Sequence, residues 1–382
     1  MALAPRNEMV LLIGNFPPDR QQSMQRFGEM MLRELRAMGI PAQLIQPQSH
    51  VARFVPRRFH FIRKWAGYVD KFILFPRQLP ELRGAEVAHI CDHSNAIYAR
   101  HFPKLAVVVT CHDLLAVRGS LGEDTDCPAS WTGRILQRWI VNSLQRVQAI
   151  VCVSHATAVD VNRILGGKAN APAITVIENG LNYPFQPLPL ETARARLSRV
   201  PGLRLDRPFV LHVGSGLRRK NRDGVLRIFA KAKDHWDAQL VLAGDDLSNE
   251  SWTLAHGLKI ADRMVEIGSV ESKLLEALYS CAHALLFPSR FEGFGWPIAE
   301  AQACGCPVLC RDAPPMSDVA GGAALLRNIE DEDGFADDLL RLRDPAVREK
   351  YRVLGLQNAT RFGAKRMARQ YVALYRGLGK AA

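Results

Sequence analysis

Pro208-Phe-Val-Leu-His-Val-Gly-Ser-Gly-Leu-Arg-Arg-Lys-Asn221 reads as a buried strand, a glycine turn and the approach to a helix that begins near Asn221. Short apolar runs recur downstream at Ala238–Gly244, Met264–Ile267, Ala284–Phe287, Pro307–Cys310 and Ala323–Leu326. Upstream, similar runs occupy Met9–Gly14, Ala42–Gln46, Val87–Cys91, Ala106–Cys111, Ala149–Val153 and Ala173–Ile177. Helical patterns lie between them, notably Ser23–Met38, Trp131–Val147 and Thr157–Leu165. Apolar strands alternating with longer helices are the pattern of a parallel α/β sheet covered on both faces. The two series are separated by Asn182-Tyr-Pro-Phe-Gln-Pro-Leu-Pro-Leu190, whose three prolines within six positions exclude a continuing helix or central strand. The sequence therefore predicts a doubly wound domain over 1–185, a loose proline-rich hinge, and a second such domain over 186–363. Strand ends facing one another would leave a ligand cleft between the domains. Met367, Tyr371, Leu374 and Tyr375 recur at helical spacing, so residues 364–382 should form a late helix that packs back on the first domain.

A length of 382 residues suits about two domains, and 48% hydrophobic with 23% charged residues is the composition of a folded chain rather than a disordered one. The apolar stretch at the N-terminus, about seven residues, fits a first strand and lacks the core of a signal peptide or membrane span. The eight cysteines form no Cys-x-x-Cys pair, and Cys304-Gly-Cys306 has the wrong spacing for a zinc knuckle, so reduced thiols in a cytoplasmic protein are expected.

A net charge of +12 points to an anionic partner. Arg53, Arg57, Arg58, Arg63, Lys64, Lys71, Arg77 and Arg83 crowd between His50 and Gly84, opposed by Asp70 and Glu81, with Phe54, Phe59, Phe61, Trp65, Tyr68, Phe72 and Phe75 interleaved. This stretch admits two readings: a solvated helix pair with a buried apolar side, or a surface that docks on anionic lipid at the inner face of a membrane. Nucleic acid is not expected as a partner, because the basic charge comes without a recognition motif.

Two segments carry chemistry. In the first, Gly214 and Gly216 let backbone approach a ligand, and Arg218, Arg219 and Lys220 then place cations at the strand end, which suits a diphosphate leaving group. The segment does not match a P-loop. In the second, Phe287-Pro-Ser-Arg-Phe-Glu-Gly-Phe-Gly-Trp-Pro-Ile-Ala-Glu300, a strand ends at Phe287, Glu292-Gly-Phe-Gly295 forms a flexible loop, and Pro297 opens a helix. Free N–H groups at that helix start favour an anion by about 0.3–1 kcal/mol. Glu292, on the loop, and Glu300, on the helix, do not suit a glycosidase pair flanking one bond. Glu300 is better suited to accepting two hydroxyl hydrogen bonds from a ribose, and Glu292 to the hydroxyls of a sugar.

These segments resemble the large family four of retaining glycosyltransferases, with the GT-B fold of two Rossmann-like doubly wound parallel-sheet domains facing a cleft. Glu292-x7-Glu300 is the most recognisable point, and Asn179-Gly180 and the late helix extend the likeness over nearly the whole chain. The resemblance implies that Lys220 and Arg219 hold the diphosphate of a nucleotide-sugar donor, with Gly214, Ser215 and Gly216 beside them. It implies that Glu292 binds the transferred sugar next to Gly293, Phe294 and Gly295, and that Glu300 binds the ribose. In Thr110-Cys-His-Asp113 it makes His112 a reaction-centre residue, ahead of Asp113 and Ser154. Relatives often carry arginine where this chain has Ser215, which leaves open whether Arg218 or Arg219 serves the phosphates. Asn15, Arg20, Gln21 and Gln22, on the loop after the first strand, would contact the glycan or lipid-linked acceptor.

The expected chemistry is retaining transfer of a hexose-type sugar in cell-surface polysaccharide or glycolipid assembly. No cofactor and no metal are expected, because cations and a helix start already face the leaving group. Asp245-Asp246 resembles a metal motif, yet acidic strand-end turns are common. Competing readings are a nucleotide-sugar epimerase or hydrolase on the same fold, and a non-catalytic nucleotide-sugar-binding protein.

Overall fold

The structure is a computed structural model that describes residues 9–19, 21–56, 58–79, 84–166 and 171–379. Its contacts divide the chain into two compact units, Met1–Asn182 with Ala364–Ala382, and Tyr183–Gly363.

The first unit is built on six parallel strands: β1 (Met9–Ile13), β2 (Ala42–Ile45), β3 (Ala85–Ile90), β4 (Ala106–Cys111), β5 (Ala149–Cys152) and β6 (Ala173–Val176). They pair in the order β2-β1-β3-β4-β5-β6. The second contains β7 (Phe209–Gly214), β8 (Gln239–Gly244), β9 (Met264–Glu266), β10 (Ala284–Phe287), β11 (Val308–Arg311) and β12 (Leu325–Arg327), in the order β12-β11-β10-β7-β8-β9. Central strands such as Leu11-Leu12-Ile13, Val210-Leu211 and Ala284–Phe287 are buried on both faces, because helices cover each side of the sheet. That double burial makes continuous apolar runs, rather than alternation, the reliable strand signal here.

In each sheet the strand order reverses once. The reversal falls between β1 and β3 in the first sheet and between β7 and β10 in the second. Connections leave in opposite directions at such a point, so the strand ends there open onto a crevice.

Three features differ from the sequence expectation. Between β3 and β4 the chain forms a 3-10 run, His93–His101, started by Asp92, whose carboxylate accepts from Ser94 N at 3.1 Å. The helix His60–Val69 continues through a π-helical turn, Asp70–Leu74, into Phe75–Gln78. The proline-rich stretch, expected as a loose hinge, is laid along the second unit. Phe185 is buried with its ring 6.0 Å from Tyr279, and Leu188 N donates to Ser280 Oγ at 3.1 Å. Prolines exclude regular structure there, but they leave side chains free to pack.

The late helix, Ala364–Gly379, belongs to the first unit and is held there by a buried polar chain. Tyr371 Oη lies 2.8 Å from Thr110 Oγ1, Thr110 Oγ1 lies 2.8 Å from His89 Nε2, and His89 Nδ1 lies 2.7 Å from Tyr375 Oη. The His89 and Tyr371 rings stack at 5.0 Å. Gly180 lies under the start of the helix, where a Cβ would stand 2.5 Å from the Ala364 Cα. Tyr371→Phe keeps the ring contact and removes one of the two partners of the Thr110 hydroxyl, leaving His89 as the other. It should lower the stability of the first unit by about 0.5–1.5 kcal/mol, read as an earlier urea midpoint. An unchanged midpoint would mean that packing alone seats the helix.

Candidate functional site

The second unit brings the two chemistry-bearing segments together at its switch point. From the end of β7 the chain passes through Ser215 and the exposed Gly216 into a 3-10 turn, Arg218–Lys220. Asn221 is left-handed at φ 55° and the helix Arg222–Ala232 follows. From the end of β10 it runs through Pro288 and Glu292 to Gly295, at φ 100°, and into the helix Trp296–Ala303. A positive φ of that size suits glycine at the helix start. The two loops are tied by Asn221 Nδ2 donating to Pro288 O at 3.1 Å and by Arg290 N donating to Arg219 O at 2.7 Å.

At the centre, Glu292 is nearly enclosed and its two oxygens take different cations. Lys220 Nζ donates to Oε1 at 2.5 Å, and Arg219 Nη1 donates to Oε2 at 3.0 Å while also reaching Phe291 O at 3.0 Å. Burial alone would push the Glu292 carboxyl up, but Lys220 and Arg219 outweigh it and hold it below the usual range. The Lys220 ammonium also stands 5.3 Å above the Phe287 ring. Its stem crosses Gly214, where a Cβ would lie 3.4 Å from Lys220 Cγ and Cδ. Two cations with one carboxylate leave a local excess of one positive charge, which suits an arriving phosphate.

Among the supporting residues, Arg222 and His212 have no conspicuous sequence signal. Arg222 Nη2 donates to Gly214 O at 2.7 Å and Nη1 donates to Asp245 O at 2.5 Å, bracing the ends of β7 and β8. Asp245 Oδ2 accepts from Gly216 N at 2.8 Å, so this carboxylate shapes the glycine turn. His212, buried under the turn, has Nδ1 3.0 Å from Leu286 O, and burial holds its ring at about 4. A strand-end arginine eight residues after the glycine is a signal visible only in retrospect.

Glu300 and Glu292 have different surroundings. Glu300 is buried on the helix, and Tyr279 Oη donates to its Oε2 at 3.0 Å, so it is not a solvated surface glutamate. Phe294 is buried against Phe362 at 5.6 Å, which anchors the loop between Gly293 and Gly295. Arg218 is exposed, whereas Arg219 faces Glu292.

The first unit gathers a second polar group around its own switch point. Asn15, after β1, donates from Nδ2 to Asp92 Oδ2 and to Gln21 Oε1, each at 2.5 Å, and its Oδ1 accepts from Asn95 Nδ2 at 3.2 Å. Asn15 is thus buried and its amide is used internally; it holds the loop rather than presenting itself to an acceptor. Gln21 and Gln22 are exposed, and Arg20 lies outside the described residues. His112 is buried after β4, its Nε2 3.0 Å from Cys91 O and its ring edge-on to Phe27 at 4.8 Å. Burial lowers its pKa against the pull of Asp92. Sequence reasoning missed Asp92 and Asn95, although Cys91-Asp-His-Ser-Asn95 directly follows a buried strand. His93 Nδ1 stands 3.1 Å from Asp92 Oδ1; burial works against the charged ring, but Asp92 and Asp113 hold its pKa above the ordinary value.

Buried neutral histidines set a pH dependence. His89 is held down to about 3, and His212 and His283 to about 4, all chiefly by burial. Above their ordinary value of 6.5 both folded and unfolded forms are neutral; below it the unfolded chain takes up protons that the folded chain refuses. Stability should therefore fall as pH drops from 6.5 toward 4, with His212 contributing on the order of 2–3 kcal/mol. His93 acts in the opposite sense, its contribution being present below 6.5 and lost as pH rises through its raised value. Denaturant midpoints at pH 8, 6.5 and 5, taken as roughly even steps across this window, should decline at the acid end. A flat profile would contradict the buried neutral rings.

The fold and this strand-end charge cluster define a GT-B protein of the glycosyltransferase class. The model of glycosyl transferases group 1 matches residues 193–352, and that of glycosyltransferase family 4 matches residues 24–183. The chain belongs to the group 1 glycosyltransferases. It is 27% identical over 252 residues to the O-antigen chain mannosyltransferase B of Escherichia coli, a match spanning 64% of this chain and 64% of that protein's length. Among solved structures it resembles sucrose-phosphate synthase from Thermosynechococcus elongatus, at 21% identity and a TM-score of 0.76, covering 98% of this chain and all of the other. It also resembles Anabaena HepE in complex with UDP and glucose, at 16% identity and a TM-score of 0.72, covering 97% of this chain and 100% of that one.

Proposed function

We propose that the protein transfers a hexose-type sugar, with retention of anomeric configuration and without a metal, from a nucleoside-diphosphate sugar to an acceptor hydroxyl in cell-surface polysaccharide or glycolipid assembly. The observation that carries this reading is the enclosed Lys220–Glu292–Arg219 cluster at the β7/β10 switch point. Its cations would hold the diphosphate as the bond from the anomeric carbon to phosphate oxygen breaks. The acceptor oxygen bonds to that carbon from the same face, and its proton passes to the departing phosphate. Glu292, with each oxygen bound to a cation and a depressed pKa, is a poor covalent nucleophile. That favours same-face attack over a glycosyl-enzyme, with Glu292 accepting sugar hydroxyls and Glu300 the ribose. In the first unit, His112 is the residue we assign to the reaction centre. The O-antigen mannosyltransferase relative and the UDP complex of a structural neighbour support the substrate class.

The first test is a thermal-shift screen of UDP-, GDP- and ADP-sugars. The donor should stabilise the protein by roughly 2.7 kcal/mol at a hundredfold excess over its Kd. The stabilising donor is then supplied with lipid-linked glycan acceptors and EDTA, and the product linkage is read by NMR. A glycosylated product of unchanged anomeric configuration, formed in EDTA, is expected. Free or epimerised sugar as the sole product would establish the hydrolase or epimerase reading, inversion would remove the retaining mechanism, and loss in EDTA restored by magnesium would remove metal independence.

A further inference from the structure

The helix His60–Val69 and the loop before it present apolar side chains to solvent on a frame that is firmly held. Phe54 is 74% exposed, Phe61 73%, Ile62 56% and Trp65 50%. This exposure does not come from a loose segment. The buried Asp70 carboxylate accepts from Val51 N at 2.8 Å and from Ala52 N at 3.0 Å, pinning the loop that carries Phe54. Rings in contact run from the surface inward: Phe61 to Trp65 at 6.2 Å, Trp65 to Tyr68 at 5.6 Å, Tyr68 to Phe72 at 5.5 Å, and Phe72 to Trp139 at 5.7 Å. The π-helical turn after Val69 shifts the register, so Phe75 turns into the core while Phe61 and Trp65 stay outside.

The charge carried by this stretch of sequence is nearly all of one sign. From Val51 to Leu79 the sequence has seven Lys and Arg residues and a single carboxylate, Asp70, which is internal. Arg53 lies over the Phe54 ring at 4.6 Å and Arg58 over Phe59 at 5.0 Å, so cations rim the apolar tips. Of these seven, Lys71 is paired with Asp19, and Arg57 lies outside the described residues, as do Glu81 and Arg83 beyond the stretch. Aromatic tips rimmed by cations match the acyl–headgroup boundary of an anionic bilayer, where rings enter the interface and Lys and Arg meet phosphates. No helix among the described residues is long and apolar enough to cross a membrane.

We propose that this surface docks the protein peripherally on an anionic phospholipid bilayer, Phe54, Phe61 and Trp65 entering the interface and Arg53, Arg58 and Lys64 meeting headgroups. This reading needs no sugar donor, so it stands or falls apart from the transfer reaction. The test is sedimentation of the full chain with phosphatidylcholine vesicles, with and without phosphatidylglycerol, at low and high salt. Binding to the mixed vesicles is expected, weakened at least roughly tenfold on neutral vesicles or by high salt. Phe61→Ser with Trp65→Ser, and separately Arg58→Glu with Lys64→Glu, should each weaken it by about tenfold or more while leaving the melting temperature unchanged. Equal binding to neutral vesicles would overturn the electrostatic part. Absence of vesicle binding would overturn the whole, and self-association abolished by the Phe61 and Trp65 pair would reassign the surface to a contact between copies.

Discussion

Lys220→Ala is expected to lower kcat/KM for sugar transfer by about 10²–10³-fold, the usual consequence of deleting one donor from a water-poor anion site. The effect should be large because the Lys220 ammonium is enclosed between Glu292 and the Phe287 face, where water screens it poorly. Arg219 remains beside Glu292 in the variant, so the carboxylate keeps a partner and the second unit should stay folded. Glu292→Gln gives the complementary result. The two cations then lose their carboxylate, so binding of the free nucleoside diphosphate should hold or tighten while kcat falls. Retention of kcat/KM within severalfold in Lys220→Ala, with unaltered diphosphate affinity, would remove this cluster from the mechanism.

Gly244→Ala is expected to cost the second unit at least about 3 kcal/mol, enough to lower its melting temperature sharply or prevent its folding. Two causes act together. Gly244 has φ 137°, a conformation that side-chain-bearing residues rarely adopt, and a Cβ there would stand 1.9 Å from Gly214 O. That carbonyl also accepts from Arg222 Nη2, so the collision would push apart the β7 and β8 ends that Arg222 braces. The same change at Gly257, where a Cβ meets nothing within 4 Å, should be close to neutral. Equal stability of the two variants, measured by differential scanning calorimetry, would show that the strand ends are softer than the close approach implies.

Strand positions were legible because doubly covered parallel strands need continuous apolar residues, so Ala106–Cys111 and Ala284–Phe287 occur at the predicted residues. The 3-10 run His93–His101 was not, because an Asp92 cap and poor helical periodicity leave no repeating pattern to read. At the candidate site the residue types and their strand-end placement were readable, including Lys220, Glu292 and Glu300. The partners were not. Glu292 meets a lysine 72 positions earlier and Asn15 an aspartate 77 positions later, and neither separation has a local signature.

Two series of parallel βα units, the break between them, and the glycine-rich turns that carry charge at the strand ends follow from local residue patterns. Apolar periodicity, proline geometry and glycine freedom act over a few residues, so they can be read without the fold. Folding in three dimensions is what turns Arg219 rather than Arg218 toward Glu292, spends Asn15 inside the first unit, and clamps the last helix by Thr110 and His89. Those outcomes depend on which side chains lose water together, and desolvation is a property of the assembled sheet and its covering helices rather than of any stretch of chain.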